Sequence, residues 1–274
     1  MSEPPPPPEA ESSVFDARYA RRRLALDTAG RRLLFGLSVA AFVALLLFGP
    51  GGSPAAVVAA VGVLAVWLAL GFAGARTMRE LPALGGLLDR DPDAGEARLD
   101  ELRRQKLLPR WVRLMLLHRL AVLRHRQQRF AESAAIAQTV LTTARPGPAA
   151  THRGHLLLLL AEARLELRDL PGAWLALTEL HRRPVGLHEA LQRLALRTRY
   201  ELAVGRPDAA VVGIGQKVAL AELMPGPQCG ALHAMLAAAA RDAGHDDWHR
   251  ALWPRVELLC GADQLAQMRG SGLI

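Results

Sequence analysis

Cysteine is almost missing from this chain of 274 residues: Cys229 and Cys260 are the only two. They offer no CxxC pair and no disulfide framework, so the folded part is expected in a reducing compartment, with both thiols neighbouring, reduced and structural. Lysine is equally scarce. Lys106 and Lys217 stand alone among 34 basic residues, so the formal charge of +8 is carried by arginine. With abundant Ala, Leu, Gly and Pro, this reads as the coding bias of a GC-rich bacterial genome and lends nucleic-acid binding little support. No stretch alternates polar and apolar residues with period two, which excludes a sheet. Catalytic motifs are missing as well. Leu187-His188-Glu189 does not continue into HExxH, and Gly213-Ile214-Gly215-Gln216-Lys217 lacks the flanking strand and the GK[ST] ending of a phosphate loop. With no nucleophile elbow either, neither an enzyme nor a cofactor is expected.

Charge is absent from the two longest apolar runs, residues 33–49 and 55–75, which are separated by Pro50-Gly51-Gly52-Ser53-Pro54. Each falls within the roughly 17–25 residues a helix needs to cross a bilayer, and together they read as a transmembrane hairpin. The lack of ionisable groups inside them argues against an ion pathway, proton relay or transporter. Arg21, Arg22, Arg23, Arg31 and Arg32 precede the hairpin, Arg76 and Arg79 follow it, and the turn is uncharged. That asymmetry predicts an inner-membrane or plasma-membrane protein with two spans and both ends in the cytoplasm. These seven arginines are the expected membrane-interface residues, facing anionic headgroups. Gly36, Ala40 and Ala44, and likewise Ala65, Ala69 and Ala73, form small-residue stripes suited to close helix contact. Trp67 falls mid-span, where the sequence assigns it packing only. Residues 1–32 combine the run Pro4–Pro8 with Glu9 and Glu11, an expected disordered tail, and then a basic juxtamembrane segment. A secretory signal would open on basic residues instead.

Residues 76–108 read as a linker, punctuated over 81–86 and 89–95, with a short helix over 96–106. From 109 to 274 the spacing predicts four helix pairs: 109–127 with 130–143, 150–167 with 171–182, 187–204 with 207–223, and 227–243 with 247–259. A last helix over 263–268 caps them. Pro146-Gly147-Pro148, Pro184, Gly186 and Pro225-Gly226-Pro227 mark the breaks. Pro254 is expected to kink or end the helix that holds it. The run Leu156–Leu160 is too closely flanked by His155 and Glu162 to span a membrane. Its apolar surface needs neighbours on both sides, which stacked helix pairs supply.

The inter-helix turns repeat. Phe130/Ser133, Leu170/Ala173, Pro207/Ala210 and Trp248/Ala251 recur at close to 40 residues. Arg129-Phe130-Ala131-Glu132-Ser133 and Gly205-Arg206-Pro207-Asp208-Ala209-Ala210 resemble the Gly-Asp-Tyr-x-x-Ala turn of the tetratricopeptide repeat (TPR) family. Gln128 and Arg168 stand where the family's turn glycine is usual. The resemblance covers residues 109–261 and implies an all-α fold: a two-helix transmembrane hairpin followed by a TPR-like right-handed helix-pair solenoid. It also implies a peptide-binding groove lined by the first helix of each pair. Carried over by the turns, the partner-binding positions are His118, His125 and Arg126, then His155 and Glu162, then Arg199 and His233.

One helix carries a charge signal of its own. Residues 111–129 include no acidic group, and His118, Arg119, His125, Arg126 and Arg129 share one third of the helix circumference, opposite Leu116, Leu117, Leu120 and Leu123. This predicts a basic patch for an acidic peptide or an anionic lipid surface. No metal site is expected. His245 and His249 lie at i,i+4 beside Asp246 and Asp247, but at an inter-helix turn where Asp serves as a cap. The expected function is a membrane-anchored protein-protein interaction adaptor with protein or peptide clients. The alternatives are a structural subunit whose hairpin packs against partner spans and, third, a metal-dependent regulator or enzyme.

Overall fold

The computed structural model describes residues 54–104, 109–143 and 152–270, together with 22, 25–26, 29–30, 32–33, 35–40 and 42–43. The Pro-rich tail, Arg21, Arg23, Arg31, Ala44 and the turn at 50–53 lie outside the described residues. Among the described residues every regular element is helical and there is no strand. The chain divides into two units, Met1–Thr151 and His152–Ile274.

The first unit is built on α1, Pro54–Arg90, a helix of 37 residues. At 1.5 Å per residue it is about 55 Å long, well beyond a hydrocarbon core of about 30 Å. It contains the one described helix long and apolar enough to cross a membrane, Ala60–Leu88, with a mean hydropathy of 1.6. Val58, Val61, Leu64, Leu68 and Phe72 are exposed along it, so its apolar surface is not consumed by a protein core. Trp67 acquires a role that packing alone did not suggest. Its Nε1–H donates to Ser38 Oγ at 3.0 Å, tying α1 to the helical residues at 35–40. A Cβ on Gly36 would meet nothing within 4 Å among the described residues.

The expected linker after Arg76 is helical instead: α1 continues without a break through Pro82. Leu81, Leu84 and Leu88 recur at helical spacing and are buried, and that burial outweighs the glycine and proline punctuation. They face α2 (Pro92–Arg104) and α3 (Arg110–Arg126), both of which pack on α1. Asp91 Oδ1 accepts the Ala94 amide at 3.0 Å, with Pro92 next to it, so the chain turns in one residue into α2. Gly95 permits the turn, because a Cβ there would stand 3.1 Å from Leu88 Cα. Leu99 and Leu102 are fully buried, and Arg98 pairs with Glu80 on α1 at 2.5 Å.

Against α3 lies α4, Phe130–Thr143. Their shared interior holds charge. Arg124 meets Glu96 at 2.6 Å and Glu132 at 3.0 Å, and Arg129 donates through Nε to Glu132 at 2.8 Å. Gln127 bridges Arg124 and Glu96, both at 2.8 Å. Burial alone would push the Glu96 carboxyl up, but hydrogen bonds from Gln127 and Arg124 and the charges of Arg124 and Arg129 hold it below its ordinary 4.5. A carboxylate whose folded value is lowered stabilises the fold above the unfolded value and ceases to do so as pH falls through the folded one. The denaturation midpoint is therefore expected to decline below about pH 4.5. Glu96→Gln should remove that part of the slope, and an unchanged pH profile in this variant would refute the coupling.

Four inter-helix turns share one backbone device. Gln128, Arg168, Gly205 and Gly244 all have positive φ, of 59°, 58°, 73° and 77°, at intervals of 40, 37 and 39 residues. In each, the next amide reaches back five residues: Arg129 to Arg124, Asp169 to Arg164, Arg206 to Glu201 and His245 to Ala240. The amide of the positive-φ residue bonds three back, which completes a Schellman close. Five residues on, Ser133, Ala173 and Ala210 are completely buried where the paired helices approach most closely. The fourth turn corrects the expected alignment by two residues, since the equivalent position is His249 and Ala251 is exposed. Ser133 Oγ donates to the Ala121 carbonyl at 2.9 Å, and His249 Nδ1 lies 3.0 Å from the Ala237 carbonyl, twelve residues back in both cases. Because L-residues are strained at positive φ, Arg168→Gly should stabilise by about 0.5–1 kcal/mol. Gly244→Ala should cost about 1 kcal/mol. Chemical denaturation checks both signs, and a destabilised Arg168→Gly would contradict the assignment.

The second unit begins with α5, Arg153–Glu166, whose run Leu156–Leu160 is wholly buried. It is followed by α6 (Leu170–His181) and α7 (Leu187–Ala203). The expected single helix over 207–223 is two, α8 (Pro207–Val211) and α9 (Ile214–Ala221), broken where Gly213 takes a φ of 68°. Lys217 Nζ donates to the Ala210 carbonyl at 2.6 Å, satisfying an acceptor that the break orphans. The last pair is α10 (Gly226–Asp242) with α11 (Asp246–Leu259), then α12 (Ala262–Gly270). Of the two expected outcomes at Pro254, an early end does not occur: α11 runs on to Leu259, with Leu252 and Val256 buried on either side. The first helices stack in series, α5 on α7 and α7 on α10, and each also packs on its own partner. As expected, Cys229 and Cys260 are free and lie near one end of the α10/α11 pair, where a Cβ on Gly230 would stand 2.6 Å from Cys260 Sγ.

Candidate functional site

In the second unit two helix faces meet in an open apolar groove. On α6, Trp174, Leu177, Thr178 and His181 repeat at three- and four-residue steps and therefore share a stripe. Leu187, Ala190, Leu191 and Leu194 do the same on α7, and Leu220 of α9 closes the end. These faces line a groove of about 500 Å³, within the range of ligand sites. Leu187 is 63% exposed at its mouth. Trp174 is held by stacking on Tyr200, with centroids 5.3 Å apart and planes at 25°. Thr178 Oγ1 is buried and has no hydrogen-bond partner among the described residues, a polar handle in an apolar wall. Arg193 and Arg197 border the groove. Arg197 pairs with Glu201 at 2.9 Å, while Arg193 forms no ion pair among the described residues.

The sequence-derived partner residues do not line this groove. In the first unit His118 is 6% exposed and lies in the interior, because α3 is covered nearly all round. Arg119 packs near Gly85 of α1. His125 sits edge-on to Phe130 with centroids 5.2 Å apart, and Arg129 is committed to Glu132. Arg126 alone of the five is exposed. Four of the five expected patch residues are thus buried or half-buried, and Arg129 is drawn into an ion pair with Glu132, which a count of charges along one helix does not reveal. In the second unit His155 and Glu162 are half-buried on α5, Arg199 pairs with Glu166 at 2.8 Å, and His233 is completely buried. Arg199 lies two residues from Arg197, so it points to the far side of α7 from the groove. Of the membrane-interface arginines, Arg22, Arg32, Arg76 and Arg79 are exposed. Arg76 lies 3.7 Å from Glu80.

The groove left a trace in the sequence, because Trp174 and Leu187 flank a Pro-Val-Gly break and cannot both reach the core of a single pair. Compared with known proteins, the chain matches no family model, no curated protein and no solved structure. The described residues define an all-helical protein with one helix long and apolar enough to cross a membrane and an open apolar groove.

Proposed function

We propose that the chain is a membrane-anchored adaptor whose groove between α6 and α7 binds an amphipathic helical segment with an acidic flank. The open apolar groove carries this reading, since a cleft lined by leucines and one stacked tryptophan suits the apolar face of a helix. His181, Arg193 and Arg197 at its border select for acidic neighbours by charge complementarity. Support for a TPR-like solenoid comes from the serial stacking of first helices and the fourfold Schellman turn at near-constant spacing. The anchor is a hairpin of two spans, residues 33–49 and 55–75, with both ends cytoplasmic, as the flanking arginines favour. Anchoring raises the effective concentration of membrane-associated clients around the groove.

A photoreactive residue at position 187, activated in native membranes, is expected to trap a protein segment of acidic amphipathic character. Arg193→Glu should weaken that product. Adducts to lipid alone would remove the adaptor reading, and a product unaffected by Arg193→Glu would remove the charge selection. Retention of the same partners through residues 33–75 would favour the structural subunit. Orientation is tested in the same cells, where Ser53→Cys should react with an impermeant maleimide from outside and Ser13→Cys should not.

A further inference from the structure

Away from the groove, three side chains with no part in it converge at the start of α10. Cys229 and His233 are four residues apart and share a face of that helix. Glu222, the residue that ends α9, comes over the same spot. His233 Nδ1 lies 3.9 Å from Cys229 Sγ, and His233 Nε2 lies 3.6 Å from Glu222 Oε1. One donor atom from each of the three residues falls within 4.8 Å of the others. Cys229 and His233 are 3% and 0% exposed, whereas the Glu222 side chain is 41% exposed, so the cluster is enclosed on the protein side and open through the carboxylate. His233 Nε2 has no hydrogen-bond partner among the described residues. The Val218 backbone also lies within reach of the imidazole, and a buried ring nitrogen short of a good partner is costly unless something else satisfies it.

We propose that Glu222, Cys229 and His233 form a binding site for a borderline-soft divalent transition ion of the Zn²⁺ type. Thiolate, imidazole and carboxylate are the donor set such ions select, and three protein ligands leave a fourth position open on the solvent side. Arg255 on α11 holds Glu222 Oε1 at 2.7 Å, which orients the carboxylate from outside as ligand-supporting groups do. The ion's two positive charges would offset thiolate plus carboxylate, leaving the Arg255 guanidinium as the net charge. On binding, the ion would displace the Cys229 thiol proton to solvent and would be met by an unprotonated nitrogen of His233. The ion would clip the α9/α10 turn to α10 and, through Arg255, to α11.

Co²⁺ is the probe, added to the full chain in detergent under a metal-free reductant and then displaced by Zn²⁺. One equivalent is expected, with a thiolate-to-cobalt charge-transfer band that Zn²⁺ abolishes. Cys229→Ser should lose the band. Glu222→Gln should weaken Co²⁺ by at least the ~10–100-fold typical of even a supporting residue. No charge-transfer band at stoichiometric Co²⁺ would overturn the site. A band surviving Cys229→Ser, and so owed to Cys260, would also overturn it. Should the buried Cys229 variant fail to fold, Glu222→Gln decides alone, and undiminished Co²⁺ affinity there rejects the proposal.

Discussion

Replacing Glu132 by alanine is expected to destabilise the first unit by about 3–5 kcal/mol, although the residue belongs to a class that usually lies on the surface. Its side chain is 2% exposed, and it meets Arg129 and Arg124, the second of which is itself only 8% exposed. Deleting the carboxylate removes a partner from the buried Arg124 guanidinium and frees the half-exposed Arg129, and a buried charge short of partners costs far more than the pair contributed. Glu96 compensates only in part, since it already serves Arg124 at 2.6 Å. Glu132→Gln, which keeps an acceptor and loses the charge, should fall between. An exposed pair gives the contrast. Arg98 and Glu101 have side chains 39% and 65% exposed, and Glu101→Gln is expected to leave stability nearly unchanged. Hydrogen exchange of the α3 and α4 amides measures the local effect, and protection should drop roughly 10²–10⁴-fold for Glu132→Ala. A loss below tenfold would show that the network adds little to this packing.

Leu157→Ala should cost about 2–5 kcal/mol, and Leu175→Ala less than about 0.5 kcal/mol. Both are leucines within helices of one pair, yet Leu157 is 1% exposed and Leu175 is 67% exposed. Around Leu157 the run Leu156–Leu160 is buried on every side, because α5 packs on both α6 and α7. Truncation therefore opens a cavity that the close-packed neighbours cannot collapse into. Leu175 has no such neighbours and loses little. Urea midpoints of the two variants in detergent report the difference directly. Equal effects at the two positions would mean that α5 is not enclosed as described.

The difference between these leucines also marks what could be read from the chain. Helical class, the positions of most helix pairs and the buried run at 156–160 follow from local periodicity and from proline and glycine at the breaks. The four turns were legible as a pattern near 40 residues, and three of four small positions were aligned correctly. His249 escaped because its neighbours Trp248 and Ala251 imitate the motif two residues out of step. Similarly, Leu81–Gly86 looks like a linker until α2 packs on α1 and Leu81, Leu84 and Leu88 are buried. Pro254 is tolerated in a helix for the same reason, its flanking Leu252 and Val256 being buried.

Charge was the least legible property. Arg113, Arg119, Arg124 and Arg126 on α3 and Arg129 just beyond it form one basic series, yet Glu96 and Glu132 neutralise part of it from other helices. The partner residues inferred from first helices were drawn inward for a related reason, since α3 and α10 are central helices with few free faces. The groove emerged instead on α6, α7 and α9, three helices that no single stretch of sequence unites.

By itself, then, the sequence determined the helical class, an apolar segment fit for a membrane and the period of the turns. All three depend on residues within a few positions of one another, through hydrogen bonds and side-chain spacing that each stretch carries with it. Only the tertiary structure decided which arginines face protein rather than water, where the open groove lies, and that Glu222, Cys229 and His233 meet. Burial and charge pairing are set by neighbours brought together through space, and those neighbours are distant along the chain.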